Sequence, residues 1–518
     1  MPADNEQYGL RQKIGFAAGL LLFLAILILP AASGMEPRAQ RAAAVAALMA
    51  VWWITEAASI PVTALLPLAL FPLLDIMPSR AVASHYANHI IFLFIGGFII
   101  AIAMERWNLH RRVALATISF FGTQPDRLVL GFMCSTAFLS MWISNTATTM
   151  MMLPIAMAVV TQLAEFAEIE GVSKQEMPQR VQNTFGLVLL LGIAYSASVG
   201  GIGTIIGSPT TVAFLGFAQE RFPDEPPIGF LEWSMMCIPI VIVFLPIIWI
   251  YLCRFGADIP LSRIRFRGGQ DVIAEERRRL GPMSSPEKTV LAVSTLTALL
   301  WIFRRPMELG AVTVPGWSGA FASPESLHDA TVAISMAILL CLLPARVDSG
   351  EKRGLQFIVD WPSIQKGVPW GIVILLGGGF ALAAGIQDTG LARWLGSQLT
   401  VLEGVPVWVL VLMTCLLSVT LTETTSNIAT VLMVSPVLAA TAVEIGVHPY
   451  LLLIPAAVIA SFAFMLPVAT PPNAIVFGSG WITIPQMFKA GVMLDLIALA
   501  VIPVAVYFIG SFIFPFGG

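Results

Sequence analysis

Ser140-Met-Trp-Ile-Ser-Asn-Thr-Ala-Thr-Thr-Met-Met-Met-Leu-Pro154 sets a run of hydroxyl and amide side chains inside an otherwise apolar segment and contains no charge. In hydrocarbon an unpaired hydroxyl or amide costs several kcal/mol, so such a cluster at membrane depth is either paired by protein or lines a cavity that holds something. The cluster occurs twice. A shift of 282 residues carries Leu139, Ser144, Asn145, Ala147, Thr148, Met151 and Pro154 onto Leu421, Ser426, Asn427, Ala429, Thr430, Met433 and Pro436. The same shift carries Gly96, Gly97, Phe98, Ala101 and Leu109 onto Gly378, Gly379, Phe380, Ala383 and Leu391. A register held without a gap from Gly96 to Pro154 is an internal repeat.

Working outward, the surrounding composition is that of a polytopic membrane protein. The 518 residues are 57% hydrophobic and only 11% charged, under half the charge usual in a globular domain. The balance of 28 basic against 31 acidic residues excludes a nucleic-acid partner. Cys134, Cys237, Cys253, Cys341 and Cys415 stand singly in apolar runs without metal-ligand spacing and read as packing residues. The first apolar run follows Arg11 and Lys13 but has no small-residue cleavage site ahead of Met35, so it reads as a retained helix.

A span needs about 17 to 25 apolar residues. Such stretches occur near 14–32, 42–57, 60–76, 89–104, 184–216, 232–253, 288–303, 329–345, 367–386, 450–476 and 491–514, which predicts about eleven transmembrane helices. The segments 128–160 and 404–441 carry the polar clusters at their middles and read as re-entrant helical hairpins. With both re-entrant, 21 Lys and Arg residues fall on one side, against Arg38, Arg41, Arg80, Arg221, Arg304, Arg305 and Arg393 on the other. That bias puts the N-terminus in the cytoplasm and the C-terminus outside, in the cell inner (plasma) membrane. It also makes the two hairpins enter from opposite sides. Inverted repeats with interrupted helices are the mark of secondary transporters, whose sites lie between the repeats near the midplane.

Each hairpin precedes an interrupted span. The first interruption runs Gly200-Gly-Ile-Gly-Thr-Ile-Ile-Gly-Ser-Pro-Thr-Thr211 and the second Leu466-Pro-Val-Ala-Thr-Pro-Pro-Asn473. Glycine and proline at this density free backbone amides and carbonyls. A shift of 266 lays Ala194, Ala197 and Thr204 on Ala460, Ala463 and Thr470. Half-helices beginning near Asn145 and Asn427 would aim N-terminal amides at an anion. The freed carbonyls of Gly203 and Ala469, with hydroxyls such as those of Ser140 and Thr422, suit a hard cation. Neither cluster contains Lys or Arg, so a doubly charged anion held there would take its compensation from bound cations.

Ser144-Asn-Thr146, Ser426-Asn427, Trp52-Trp-Ile-Thr-Glu56 leading to Pro61-Val-Thr-Ala-Leu-Leu-Pro67, and Ala469-Thr-Pro-Pro-Asn473 resemble the divalent anion/sodium symporter family of sodium-coupled dicarboxylate, citrate and sulfate carriers. The resemblance covers nearly the whole chain. It implies an all-α homodimer of elevator type. In each protomer, segments 1–127 and 289–403 would form a scaffold. Segments 128–253 (hairpin 128–160, broken helix 184–216) and 404–518 (hairpin 404–441, broken helix 450–476) would form the moving transport domain, and 254–288 a cytoplasmic basic loop. It implies one sodium at Ser140, Ser144, Asn145 and Gly203 and a second at Thr422, Thr425, Asn427 and Ala469. Substrate would meet Ser144, Asn145, Thr146, Ser426, Asn427, Ile428, Thr470 and Pro471. The activity implied is sodium-coupled symport of a C4-type dicarboxylate such as succinate, malate or fumarate, and no enzyme chemistry. The alternatives are a sodium-independent dicarboxylate exchanger or a carrier of another oxyanion such as sulfate.

Two positions depart from the family pattern. Ile428 stands where a second Thr is usual, removing a hydroxyl from the second tip. Pro209-Thr-Thr211 replaces an expected Pro-Pro-Asn, and those positions are set aside as substrate contacts. Glu423, between the ligands of the second tip, reads as a buried or rim-facing structural carboxylate, with a proton or cation site as its rival. Glu56 reads as interfacial, and the five histidines fall near span ends.

Overall fold

The computed structural model describes residues 9–514 apart from 123, 166, 170–171, 258, 267–269, 310–311, 350–351 and 399–403. Both extreme termini, residues 258 and 267–269 of the basic loop, and residues 399–403 at the end of segment 289–403 therefore lie outside the described residues. Among those described, eight helices are long and apolar enough to cross a membrane, and Ile60–Leu73, Asp329–Leu342, Val407–Thr422 and Tyr450–Ile459 are shorter apolar ones. Strands are confined to three short antiparallel pairs among the described residues.

The expected spans fall on helices, but two of the eight long apolar helices, Asn145–Ala164 and Asn427–Glu444, belong to the segments read as re-entrant, and one expected span is divided. Segment 60–76 is two short helices, Ile60–Thr63 and Leu66–Leu73, because Pro61, Pro67 and Pro72 interrupt the ladder of main-chain bonds. Both hairpins form. The first consists of Pro125–Ser140 and Asn145–Ala164, the second of Val407–Thr422 and Asn427–Glu444. Pro154 and Pro436 sit at matching places inside the second arms.

The tips end their helices in the same way. Ile143 N–H and Thr425 N–H each donate at 2.9 Å to the carbonyl four residues back, Leu139 and Leu421. Ser144 and Ser426 then turn extended and cap the next helix. Ser144 does so with its hydroxyl, which accepts from Ala147 N–H at 3.3 Å, as expected of a serine cap. The repeat reaches beyond the hairpins. Asn108 (φ 58°) and Gly390 (φ 76°) both adopt the left-handed conformation, 282 residues apart, and each turns the chain into a short helix, Leu109–Phe121 or Leu391–Gln398.

Both interrupted helices are present. Leu187–Gly201 is followed by Pro209–Arg221, and Tyr450–Ile459 by Pro471–Phe477. Every residue of Leu187–Gly201 is buried, Ser196 and Ser198 included, as befits a helix without a charged face. It forms the axis of the bundle and packs on both arms of the first hairpin, on Phe230–Phe255 and on Pro471–Phe477. The Tyr195 hydroxyl donates to Phe464 C=O at 3.0 Å, joining this axis to the second break.

Candidate functional site

Three pieces of the first half converge on Asn145. The Ser140 hydroxyl donates to Ala197 C=O at 2.7 Å. The Asn145 side-chain amide lies 2.6 Å from Ser140 Oγ and 3.2 Å from the carbonyls of Ala197 and Gly207. Gly201 makes this possible, since a Cβ there would lie 2.2 Å from the Asn145 amide. The second half repeats the frame. The Thr422 hydroxyl lies 2.6 Å from the Asn427 amide oxygen and 2.7 Å from Ala460 C=O. Thr425 Oγ1 lies 2.7 Å from Thr430 Oγ1. Polar bonds between helices in a bilayer contribute about 1 kcal/mol each, so these frames orient the tips more than they hold the fold together.

The two breaks match with a register different from the expected one. Pro209 and Pro471 open the following helices and are 262 residues apart, so Ser208 corresponds to Thr470 and Gly207 to Ala469. The shift of 266 paired Gly203 with Ala469 instead. Gly203 lies at the start of the break, where its N–H donates to Gly200 C=O at 2.9 Å, and the carbonyl that reaches Asn145 is that of Gly207.

Both tips and both breaks open onto one cavity of about 850 Å³. Ser144, Asn145 and Thr146 enter from the first tip, Ser426, Asn427 and Ile428 from the second, and Ala469, Thr470 and Pro471 from the second break. Ser208, Pro209 and Thr210 also line it, although the sequence reading set 209–211 aside; their equivalence to Thr470-Pro471 was the signal. The opposite wall is apolar, with Phe98, Ile372 and Leu375. Ser140, Gly203, Thr422 and Thr425 lie outside this lining, buried behind the tips. Thus the eight substrate candidates face open space, and four of the sodium candidates sit in the protein behind them.

The electrostatics are lopsided. Among the lining residues there is no Lys, Arg or His, and the one ionisable side chain is Glu56 at the rim. The helices Asn145–Ala164 and Asn427–Glu444 start at this wall and turn their N-terminal amides, with a partial positive charge, toward it.

Polar contacts hold both ends of helix His89–Arg106, whose Phe98 lines the cavity. Gly367, a lining residue, packs near Ile102, and Arg106 pairs with Asp360 at 2.7 Å. At the other end, Glu220, in the helix after the first break, binds Asn88 Nδ2 at 2.9 Å and His85 Nδ1 at 3.1 Å. His89 meets Gln219 at 3.1 Å there. Behind this contact lies the buried pair Arg304–Asp329 at 2.5 Å, whose second carboxylate oxygen accepts from Phe230 N–H at 3.0 Å.

Paired hairpin tips and interrupted helices around a single cavity define a multi-pass membrane transporter. The chain belongs to the family whose model is described as the sodium:sulfate symporter transmembrane region, matched over residues 11–514. It is 42% identical over 506 residues to the sodium-dependent dicarboxylate transporter SdcS of Staphylococcus saprophyticus, covering 98% of this chain and 93% of that one. It is likewise 42% identical over 505 residues to SdcS of Staphylococcus aureus strain MRSA252, covering 98% and 92%. Among solved structures it is similar in fold to the YdaH transporter of Alcanivorax borkumensis, with TM-score 0.51, 13% identity and coverage of 84% of this chain and 89% of that chain. Similarity to MtrF of Neisseria gonorrhoeae is comparable, with TM-score 0.52, 11% identity and coverage of 96% and 95%.

Proposed function

We propose that this protein is a secondary active transporter that moves a C4-type dicarboxylate, such as succinate, malate or fumarate, together with sodium ions. The observation that carries this reading is the cavity itself: two copies of a neutral Ser-Asn tip meet in it, and no basic side chain lines it. A dianion bound there needs positive charge from elsewhere, and the relatives that match nearly the whole chain are named sodium-dependent dicarboxylate transporters.

In this reading one sodium takes oxygens from Ser140, Ser144, Asn145 and the first break, with Gly207 added to Gly203 because its carbonyl reaches Asn145. The second takes oxygens from Thr422, Thr425, Asn427 and Ala469. The substrate carboxylates meet Ser144, Asn145, Thr146, Ser426, Asn427, Thr470 and Pro471, beside the apolar Ile428. Sodium binds first and orders the tips. The hairpins and broken helices then move as one elevator-like body, in inverted halves, against the wall that carries Phe98 and Ile372, within a homodimer in the plasma membrane. With the N-terminus cytoplasmic, the cavity mouth at Glu56, Gly367 and Pro369 faces the cytoplasm. If more than two sodium ions accompany each dianion, the membrane potential adds about 2.3 kcal/mol per net charge per 100 mV.

The test is uptake of radiolabelled succinate into proteoliposomes with and without an inward sodium gradient. Accumulation that requires the gradient supports symport. Uptake indifferent to sodium but dependent on internal dicarboxylate would establish an exchanger instead.

A further inference from the structure

The two tips are fastened to their unwound segments by different chemistry. In the first half the fastener comes from the break: the Thr204 hydroxyl donates to Met141 C=O in the tip and accepts from Gly207 N–H at 3.2 Å. In the second half the residue 282 positions after Met141 is Glu423, and the fastener comes from the tip. Glu423 Oε1 accepts from Met465 N–H at 3.1 Å and Oε2 from Leu466 N–H at 3.2 Å.

This carboxyl group is 3% exposed. Asp495, from helix Ile484–Ile513, stands against it and is equally buried.

Its location gives the Glu423 carboxyl group a task. Glu423 lies between Thr422 and Thr425 in the tip, and Leu466, which it holds, starts the turn that presents Ala469, whose N–H donates to Leu466 C=O at 3.2 Å. We propose that Glu423 is a positioning residue for the second sodium: its carboxyl group locks the tip to the turn bearing Ala469 and so fixes the spacing of the oxygens that would surround the ion. The proposal rests on the assignment of Thr422, Thr425, Asn427 and Ala469 to a sodium ion. The first half is fastened by the Thr204 hydroxyl and carries a methionine at the equivalent position, so this carboxyl bridge belongs to the second site.

The experiment uses the full chain in proteoliposomes and reads succinate uptake against sodium concentration, then against succinate at saturating sodium. For Glu423→Gln, which keeps one acceptor oxygen and loses the other, the sodium concentration for half-maximal uptake should rise about tenfold while the succinate KM stays within about twofold. Glu423→Asp, with both acceptor oxygens kept and the reach shortened, should recover part of the sodium affinity. If Glu423→Gln does not fold, Glu423→Asp becomes the test variant, with a smaller rise in the sodium requirement and the same constancy of KM expected. A purely structural carboxyl would lower the maximal rate and the melting temperature without moving the sodium requirement, and that result overturns the proposal. Sodium-dependent uptake by the wild type with an unchanged sodium curve in the variant overturns this inference alone. Sodium-independent uptake by the wild type overturns the symport reading with it.

Discussion

Asn145 and Asn427 occupy the same frame in the two halves of the chain. Each side-chain amide lies 2.6 Å from a hydroxyl five residues earlier, Ser140 or Thr422, and that hydroxyl donates at 2.7 Å to a carbonyl of an interrupted helix, Ala197 or Ala460. The amides also line the shared cavity, so each can join an ion behind the tip to a solute in front of it.

Replacement of either asparagine by alanine should therefore remove transport while leaving the bundle intact. Asn145→Ala and Asn427→Ala are each expected to lower succinate uptake at least about a hundredfold, the loss of two or more charge-assisted contacts, with an unchanged elution profile in detergent. Near-normal uptake by both would refute the site assignment.

Gly201 offers a steric route to the same frame. A methyl group at this position would fall 2.2 Å from the Asn145 amide and must push it out of place. Gly201→Ala should raise the sodium requirement or abolish uptake, whereas Gly319→Ala, whose new methyl meets nothing within 4 Å, should match the wild type. Equal behaviour of the two variants in a sodium titration would show that the frame tolerates displacement.

Ile428 lines the cavity where a hydroxyl-bearing residue is usual in the pattern, and it is 8% exposed. A hydrogen-bonding group discriminates between polar substrates more strongly than a methylene does. Ile428→Thr should change the ratio of KM values between unsubstituted and hydroxylated C4 dicarboxylates by about tenfold, measured by competition against labelled succinate. A variant that alters only the sodium curve would place Ile428 away from the substrate.

His328 gives the fold a defined acid sensitivity. It caps helix Asp329–Leu342, with its ring edge-on to His89 at 4.3 Å. Burial, reinforced by the neighbouring His89, pushes its pKa down to about 4. The unfolded chain therefore binds this proton more readily than the folded one, and stability is lost as pH falls from about 6.5 toward 4. The melting temperature should decline over that window, and His328→Asn, which keeps a capping acceptor, should flatten the decline. An identical pH profile for both proteins would assign the sensitivity to other groups.

The repeat, the hairpins and the cavity-facing Ser-Asn pairs were legible in the sequence because polar and helix-breaking residues within apolar runs are costly and hence informative. The alignment of the two breaks was not. Backbone carbonyls do the work there, and a carbonyl leaves no trace in residue identity, so Ala194, Ala197 and Thr204 suggested a register four residues away from the one set by Pro209 and Pro471. Glu423 was visible as an acidic residue in a neutral tip, but its partners are main-chain N–H groups about forty residues on, a pairing that no spacing rule encodes. The division of 60–76 into two short helices was signalled by Pro61, Pro67 and Pro72, whose interruption the strong hydropathy of the segment concealed.

A cavity without lysine, arginine or histidine also bears on fidelity. A fixed cation would let the dianion ride alone, and each such crossing would dissipate the ion gradient's stored work as slippage. With the compensating charge itself a passenger, a carrier lacking its ions has little hold on the solute, and futile leak is suppressed by electrostatics without a dedicated lock.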